Sequence, residues 1–337
     1  MPTLITGGTG FIGRALVQRL ISEGEEIRLL VRPTSDLAGL DDKRIQLCPG
    51  DVTAKESLRV AADGRRRVFH LAAYAQSWAK DPSSFCRVNV EGTKNLLDAC
   101  LEKKIERVVM ASSSVTLGSS SDQSHGETDE RDENSFATEY ERSKYLAEKI
   151  ALSYVPRGLS VVFVNPTRVY GPGKLTEANS VTKLIKMCLK QRASLILGQG
   201  REIGNYVLVD DVVTGMLAAM ARGRAGERYI LGGDNISLDD FFGLLRKLSR
   251  KRGVRLAIPV GLALVFGRFE EWKARRLGIR PLITREWVKN FMIDWAFSSE
   301  KARAELGYHP KSLEEGLKLT ISWLNSNPKK PHEKEHP

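Results

Sequence analysis

The stretch that decides the fold is "TLITGGTGFIGRALVQRLISEG", residues 3–24. A short apolar strand (3–6) runs into a glycine-rich turn (7–13), and the segment 14–24 has helical spacing. The turn satisfies G-x-G-x-x-G between a strand and a helix, which is the context in which this motif binds a pyrophosphate. Glycine lets the backbone approach a phosphate closely, and a helix N-terminus presents free N–H groups to an anion. The residues expected to contact the phosphates are Gly7, Gly10, Phe11, Ile12 and Gly13.

Strands and helices alternate through the first half of the chain. The later strands read as continuous apolar runs, which is typical of a parallel sheet covered by helices on both faces. Their approximate positions are 26–32, 45–52, 67–73, 107–114 and 160–171. We therefore expect an α/β protein with a Rossmann-type, doubly wound parallel sheet and a smaller, mostly helical C-terminal substrate lobe.

Beyond residue 171 the alternation breaks, and this predicts a second structural unit. Helical patterns cover roughly 178–191 and 237–297, and a last amphipathic helix covers 312–324. The predicted nucleotide-binding domain comprises 1–170 plus about 204–235. The predicted substrate-binding lobe comprises about 171–203 and 236–324, followed by a disordered tail, 325–337.

The overall composition excludes several classes of protein. Of the 337 residues, 42% are hydrophobic, which is typical of a globular chain with a sizeable core. The net charge is +11, but the cations are scattered, so no nucleic-acid partner is expected. Four widely spaced cysteines indicate neither a disulfide framework nor a metal site. Because the chain starts without a secretory signal, we expect a cytoplasmic protein that acts on a small-molecule substrate.

The longest apolar run is "LAIPVGLALVFG", residues 256–267. It contains a proline and is too short to span a bilayer, so no integral membrane segment is expected. We expect this run to form a buried helix or a wall of the substrate pocket. Peripheral membrane contact through it stays open.

The second strand selects the dinucleotide. An acid at its end accepts the ribose 2′-hydroxyl of NAD, whereas an arginine there accommodates the 2′-phosphate of NADP. The strand ends "LLVRPTSD" (29–36), with Arg32 at the tip, so we expect NADP, with NAD as second choice. The alternative is that Arg32 is a solvated loop residue. Asp51 and Val52 follow the third strand and are expected near the adenine, although Asp51 also suits a simple turn.

Eight stretches in order along the chain resemble extended short-chain dehydrogenase/reductases, the NAD-dependent epimerase/dehydratase family. The nearest branch is that of dihydroflavonol reductases and 3β-hydroxysteroid dehydrogenases. The stretches are "TGGTGFIG" (6–13), "GDV" (50–52), "HLAA" (70–73), "NVEGT" (89–93), "SSSVTLG" (112–118), "YERSK" (140–144), "NPTRVYGPG" (165–173) and "YVLVDDVV" (206–213).

The resemblance implies a catalytic set of Ser113, Tyr140 and Lys144. Tyr140 and Lys144 are four residues apart and therefore share one helix face. Lys144 would hold the nicotinamide ribose and lower the pKa of the Tyr140 phenol, which would then act as general acid or base. Ser113 is chosen over Ser112 and Ser114 by counting back from the glycine that ends the motif.

The resemblance also implies further contacts with the cofactor. The segment after the fourth strand and the end of the sixth should face it, and the latter should border the nicotinamide. These residues are Leu71, Ala72, Ala73, Pro166, Thr167 and Val169. His70 is expected to be a packed residue, and Asn89 either supports the site from behind or serves as a helix N-cap.

Three functions fit these motifs. The first is an NADP-dependent oxidoreductase that transfers a hydride between nicotinamide and a carbonyl or alcohol of a small, partly apolar substrate. The second is a nucleotide-sugar epimerase or dehydratase with retained NAD(P), and the third is a non-catalytic dinucleotide sensor. Asn205 stands where nucleotide-sugar enzymes of this kind commonly carry an arginine for the diphosphate, which favours the first. The resemblance further implies a homodimer formed through the helices near 89–103 and 139–154.

Overall fold

The protein is described by a computed structural model covering residues 3–120, 124–128, 131, 135–191, 193–250 and 254–326. Its strands are β1 (Thr3–Thr6), β2 (Ile27–Val31), β3 (Ile45–Pro49), β4 (Arg67–His70), β5 (Arg107–Ala111), β6 (Ser160–Pro166), β7 (Arg168–Tyr170), β8 (Ala193–Leu197), β9 (Ile203–Leu208), β10 (Arg228–Leu231), β11 (Asp234–Ser237) and β12 (Val254–Ile258). Its helices are α1 (Phe11–Ser22), α2 (Lys55–Ala62), α3 (Ser83–Phe85), α4 (Gly92–Glu102), α5 (Glu139–Leu152), α6 (Ser180–Gln191), α7 (Val209–Arg222), α8 (Leu238–Ser249), α9 (Val260–Leu277), α10 (Arg285–Asn290), α11 (Glu300–Leu306) and α12 (Leu313–Ser326).

Seven of these strands form one parallel sheet in the order β3-β2-β1-β4-β5-β6-β10. The strand order reverses beside β1, because the chain returns from β3 at one edge to β4 on the other side of β1. A crevice opens at the carboxyl ends of the strands where such a reversal occurs, and this is where doubly wound sheets bind ligands. The expected Rossmann-type sheet is confirmed, and the glycine turn after β1 lies at this point.

Helices cover both faces of the sheet. On one face, Leu16 and Leu20 of α1 pack with Met216 of α7 and are at most 3% exposed. On the other face, Leu96 of α4 and Ala147 of α5 are fully buried. Burial of one such leucine side chain is worth about 1.5–3 kcal/mol. The two layers hold the carboxyl ends of the strands in a rigid frame.

The second unit contains strands as well as helices. Strands β7, β9 and β11 form a small mixed sheet, and β8 pairs with β12 in parallel. The expectation that 237–297 is helical throughout is wrong at β12. A five-residue apolar run such as 254–258 cannot be assigned to strand or helix by periodicity, and here pairing with β8 decides. The domain boundaries stay a prediction. The first two positions of the expected disordered tail belong to α12, and 327–337 lie outside the described residues.

Helix α9 carries its large apolar residues on the outside. Leu262 and Val265 are 65% and 69% exposed, whereas the buried positions include the small residues Ala263, Gly267 and Ala274. A Cβ placed on Gly267 would lie 3.2 Å from the backbone nitrogen of the first residue of α10, so only a small residue permits this packing. The expectation of a buried helix over 256–267 is therefore wrong for Leu262, Val265 and Phe266, whereas Ile258, Val260 and Leu264 are partly buried against Ala263 and Val288. The alternative of a substrate-pocket wall stays a prediction. No helix in the described part of the chain is both long and apolar enough to cross a membrane.

Candidate active site

The glycine turn between β1 and α1 forms an open anion cradle. Gly7 has a φ of 73°, and a Cβ there would lie 2.5 Å from the backbone of Leu71 and Ala72. Helix α1 starts at Phe11 without a side-chain cap, and its first turn contains no acidic residue. Its first N–H groups are therefore available to an anion. These features fit the pyrophosphate of a nicotinamide dinucleotide.

Cations lie at the tip of β2 and along the segment that follows it. Arg32 is exposed, as expected for a residue reaching toward a ligand or solvent. The one carboxylate beyond it, Asp36, accepts a hydrogen bond from Lys174 at 2.7 Å and lies 3.6 Å from the guanidinium of Arg14. The hydrogen bond from Lys174 is the main reason that the pKa of Asp36 is lowered. Sequence reasoning did not find Arg14 and Lys174, because neither adjoins the strand tip in the chain.

The residues expected near the adenine differ in their surroundings. Oδ1 of Asp51 accepts from both the N–H and the hydroxyl of Thr53, each at 2.8 Å, which is the turn arrangement that the sequence left open. Val52 is 5% exposed and packs in the core against α4. Asp51 therefore has a structural task that does not depend on a ligand.

The other residues expected to contact the cofactor lie around the same crevice. Leu71 donates its N–H to Thr6 of β1, which fixes the segment after β4 against the glycine turn. Thr167 donates its hydroxyl to Asn205, and Val169 of β7 is 8% exposed. The rest of the expected set, which also lies at these strand ends or in the first turn of α1, is Phe11, Ile12, Ala72, Ala73 and Pro166.

Ser113, Tyr140 and Lys144 come together beside this crevice. Thr138 caps the N-terminus of α5, so Tyr140 lies in its first turn, half-buried. Lys144, one turn later, is 4% exposed and donates from Nζ to the carbonyl of Ala111 at 2.8 Å. The Ser113 hydroxyl interacts with the Tyr140 phenol.

The serine run after β5 presents only its middle member. Ser112 and Ser114 are 7% and 6% exposed, whereas Ser113 is half-buried. In the extended segment that leaves β5, successive side chains point to opposite sides. Ser113 is therefore the most accessible of the three serines.

Burial controls the protonation of this site. Burial raises the pKa of Tyr140, and the Ser113 hydroxyl only partly opposes this effect. Burial also lowers the pKa of Lys144 to about 8, with Glu148 acting in the opposite direction. The expectation of a lowered pKa for Tyr140 is wrong in the protein alone, because desolvation of the phenol raises this pKa.

A network of buried polar side chains holds the backbone at Ser113. Glu148 of α5 is fully buried and accepts from Nε of Arg228 at 2.8 Å. Asn165 donates to Glu148 at 2.8 Å and to the carbonyl of Ser113 at 3.1 Å. Thr116 donates to the same carboxylate at 3.1 Å. The network holds the turn after β5 against α5, and no local pattern marked its members.

Asn89 also supports the Tyr-Lys helix. It lies in a π-helical stretch, Cys86–Glu91, that runs without a break into α4, so the N-cap alternative is wrong. Its side chain accepts from the N–H of Tyr74 at 2.7 Å and donates to Ser143 of α5 at 2.8 Å. Such π-helical insertions are frequent at functional sites.

His70 is packed beneath the site, as expected. It is 2% exposed, and its ring nitrogens lie 2.7 Å from the hydroxyl of Thr6 and 3.0 Å from that of Thr93. Burial lowers its pKa to about 3, with a further contribution from the charge of Lys144. The imidazole is therefore neutral in the folded protein at physiological pH.

A buried ion pair connects the start of α5 to the second unit. Arg131 and Glu141 pair at 2.6 Å with side chains that are 7% and 3% exposed. The same carboxylate accepts from Asn290 of α10 at 3.0 Å, and Arg131 also donates to the carbonyl of Val115. Glu141, the residue next to Tyr140, thus fixes α5 to Arg131 and to α10.

Asn205 is wholly occupied by structural hydrogen bonds. It is 1% exposed, accepts from the hydroxyl of Thr167 and from the N–H of Gly233, and donates to Asn235 at 2.8 Å. It therefore links β9 to β11 and to the residue that precedes β7, and both ends of its amide already have protein partners. Within the described residues, no group of three or more His, Cys, Asp and Glu side chains is placed to hold a metal ion.

Comparison with known proteins agrees with this geometry. Residues 3–232 match the model of the NAD dependent epimerase/dehydratase family. A Synechocystis sp. protein named "Putative dihydroflavonol 4-reductase" is 32% identical, over 96% of this chain and 94% of its own length. "Sterol demethylase protein B" of Methylococcus capsulatus is 29% identical, over 96% and 98%.

Solved structures show the same fold. The crystal structure of gox2253 is 34% identical, with a TM-score of 0.82 over 97% of this chain and 98% of its own. That of UDP-glucose 4-epimerase from Thermotoga maritima is 25% identical, with a TM-score of 0.79 over 98% and 100%. The chain therefore belongs to the NAD dependent epimerase/dehydratase family of extended short-chain dehydrogenase/reductases, and it is an oxidoreductase that uses a nicotinamide cofactor.

Proposed function

We propose that the protein is an NADP-dependent reductase or dehydrogenase acting on a carbonyl or alcohol of a small, partly apolar substrate. The observation that carries this proposal is the placement of Ser113 and Tyr140 side by side, one helical turn from Lys144. Lys144 in turn bonds the carbonyl of Ala111 at the carboxyl end of β5, on the same edge of the sheet as the glycine turn. This is the arrangement of groups that proton transfer to a carbonyl oxygen requires.

The bound cofactor supplies or accepts the hydride. The hydroxyls of Ser113 and Tyr140 donate hydrogen bonds to the carbonyl oxygen of the substrate, and Tyr140 gives up its proton as that oxygen gains charge. The ammonium of Lys144 stabilises the phenolate that remains. Because burial raises the pKa of Tyr140, the phenol is protonated at neutral pH and is ready to act as an acid. In alcohol oxidation the same groups act in reverse.

The cation pattern at β2 supports NADP. A 2′-phosphate placed beyond β2 would meet the exposed guanidinium of Arg32, and Arg14 and Lys174 contact Asp36 four residues further on. A 2′-hydroxyl would need a free carboxylate, but Asp36 already pairs with these two cations. Charge-assisted hydrogen bonds to phosphate are about twice as strong as neutral ones.

The occupied Asn205 supports a substrate without a diphosphate. Both ends of its amide already have protein partners, and it cannot supply a charged fork to a phosphate. The names of several relatives also favour a reductase. One of them is "2-alkyl-3-oxoalkanoate reductase" of Stenotrophomonas maltophilia, which is 28% identical.

The alternative is a nucleotide-sugar epimerase or dehydratase with retained NAD(P). A "dTDP-glucose 4,6-dehydratase" of Streptomyces griseus, 29% identical over 96% of this chain, favours it. Exposed Arg201, four residues before Asn205, could then meet a diphosphate.

Homodimer formation through α4 and α5, and a cytoplasmic location, belong to the same proposal. The two helices pack together, with Tyr154 at the end of α5 donating to Asp98 of α4 at 2.6 Å. Light scattering of the purified protein would test the dimer.

Cofactor titration and one active-site variant test the function. We expect NADPH to bind more tightly than NADH, and Arg32→Ala to weaken NADPH about tenfold to hundredfold while hardly changing NADH. Lys43→Ala removes another exposed cation and serves as the control. Tighter binding of NADH by the unaltered protein would refute the NADP assignment.

Replacement of the phenol tests the chemistry separately. Tyr140→Phe should lower kcat at least about a hundredfold and leave cofactor affinity within a few-fold. Tyr145→Phe, on the same helix with its ring against Phe136, should keep most of the activity. Near-normal turnover by Tyr140→Phe would refute the acid–base role. Turnover of a UDP-sugar by a protein with firmly bound NAD would support the alternative.

A further inference from the structure

Helix α9 presents an apolar ridge to solvent, formed by Leu262, Val265, Phe266, Phe269 and Trp272. These residues recur at helical spacing and therefore share one face. They are 65%, 69%, 45%, 54% and 56% exposed, in that order, and the rings of Phe269 and Trp272 stack with centroids 6.0 Å apart. Single exposed apolar side chains are normal, but a contiguous set of this size marks an interaction surface.

The ridge continues beyond the end of α9. Leu277, Ile279 and Leu282 are 63%, 54% and 76% exposed. This following segment also contacts the segments that follow β4 and β7. Arg280 pairs with Glu177 after β7, and a Cβ placed on Gly278 would lie 3.7 Å from Nζ of Lys80 after β4.

The exposed charges around the ridge have one sign. Arg268, Arg275 and Arg276 of α9 are exposed, and no described carboxylate pairs with them. The two acids of the helix are turned inward: Glu270 is 2% exposed and Glu271 8%. Glu270 accepts from Lys273 and from the N–H of Leu282, and Glu271 accepts from Arg285.

We propose that the apolar ridge docks the enzyme on an anionic membrane surface. An aromatic and aliphatic face flanked only by arginines is the pattern of a helix that lies in the lipid interface. Anionic headgroups would meet the arginines while the phenylalanines and tryptophan enter the acyl boundary.

A second copy of the chain fits this surface less well. A two-fold contact places the same patch on both partners, so the three arginines would face their own copies. Neither buried acid of α9 could neutralise them. Like charges brought together in an apolar contact are destabilising, whereas an anionic bilayer turns the same charges into an attraction.

Vesicle co-sedimentation of the full chain tests the proposal. We expect binding to vesicles of equal parts phosphatidylcholine and phosphatidylglycerol, weakened by added salt, and much weaker binding to pure phosphatidylcholine. The emission of Trp272 should shift to shorter wavelength on binding. Arg275→Gln/Arg276→Gln should weaken binding about twenty-five-fold, because each basic residue contributes about fivefold. Phe266→Ser/Phe269→Ser should weaken it at least about tenfold.

Matched controls show whether the effect belongs to this surface. Leu47→Ser/Val60→Ser removes exposed apolar groups elsewhere, and Lys55→Gln/Lys104→Gln removes exposed cations elsewhere. Both should bind as the unaltered protein does. Absence of binding to the anionic vesicles, or ridge variants that still bind normally, would overturn the proposal. So would light scattering in which the ridge variants dissociate a dimer, because a second copy would then cover the ridge.

Discussion

Replacement of Lys144 by methionine should abolish activity and stabilise the fold. The lysine is 4% exposed, and its ammonium has one backbone partner, the carbonyl of Ala111. Burial lowers its pKa from 10.5 to about 8, so the folded protein holds this charge less readily than the unfolded chain does. Methionine keeps the length of the side chain and removes the charge.

The size of the effect follows from the pKa difference. Since each unit is worth 1.36 kcal/mol, a fall from 10.5 to about 8 destabilises the fold by about 3 kcal/mol at neutral pH. Loss of the hydrogen bond to Ala111 offsets about 1 kcal/mol of the gain. The net stabilisation is therefore about 2 kcal/mol, which corresponds to a rise in Tm of about 3 °C for a chain of this length.

The pH dependence gives the sharper test. Below pH 8 both states bind the proton, so the penalty is complete. Between 8 and 10.5 the unfolded chain binds more protons than the folded protein, and stability rises with pH. The advantage of Lys144→Met, measured by urea denaturation without cofactor, should therefore be greatest below pH 8 and vanish toward 10.5. A variant that is no more stable than its parent at neutral pH, or an advantage that does not change with pH, would refute this reasoning.

Two further substitutions test the buried groups around the site. The pKa of His70 is about 3 in the folded protein and 6.5 in the unfolded chain, so the free energy of unfolding should fall as the pH drops from 6.5 to 3. His70→Gln, which can still reach Thr6 and Thr93, should make this fall less steep in urea titrations at different pH. An unchanged pH dependence would contradict the assignment. Glu148→Gln leaves Arg228 without its buried partner and should lower the free energy of unfolding by about 3–5 kcal/mol. Adding Arg228→Met should recover much of this loss. If calorimetry shows Glu148→Gln to be as stable as its parent, the network does not stabilise the fold.

The parts of the fold that depend on local spacing could be predicted from the sequence. The turn around Gly7 and Gly10 needs residues without a Cβ, and the run of glycines shows this requirement directly. The four-residue spacing of Tyr140 and Lys144 places them on one helix face wherever the helix lies. The parallel sheet likewise follows from the alternation of apolar strands and helices.

Features that depend on distant partners could not be predicted. Glu148 contacts both Asn165 of β6 and Arg228 of β10 because these two strands are neighbours in the sheet. The two partners of the ion pair, Glu148 and Arg228, are 80 positions apart in the sequence. The strand β12 exists because β8 is beside it. In α9, periodicity predicts two faces but not which one is buried; Gly267 decides, because its lack of a Cβ lets the small face approach α10.

The pKa shifts of Tyr140 and Lys144 show an effect of burial that their close spacing in the sequence does not reveal. Proximity of an ammonium to a phenol suggests a lowered pKa for the phenol, but both groups also lose water, and desolvation opposes charge on each. Tyr140 is therefore held as the neutral phenol, while Lys144, with a pKa of about 8, is mostly charged at neutral pH. In the proposed mechanism this pair is a proton donor beside a positive charge, which suits the negative charge that develops on a carbonyl oxygen during reduction. Alcohol oxidation must start from the phenolate, which burial disfavours. Burial of the phenol therefore favours the protonation state that carbonyl reduction needs in the proposed mechanism, and Lys144 keeps its charge at the expense of stability.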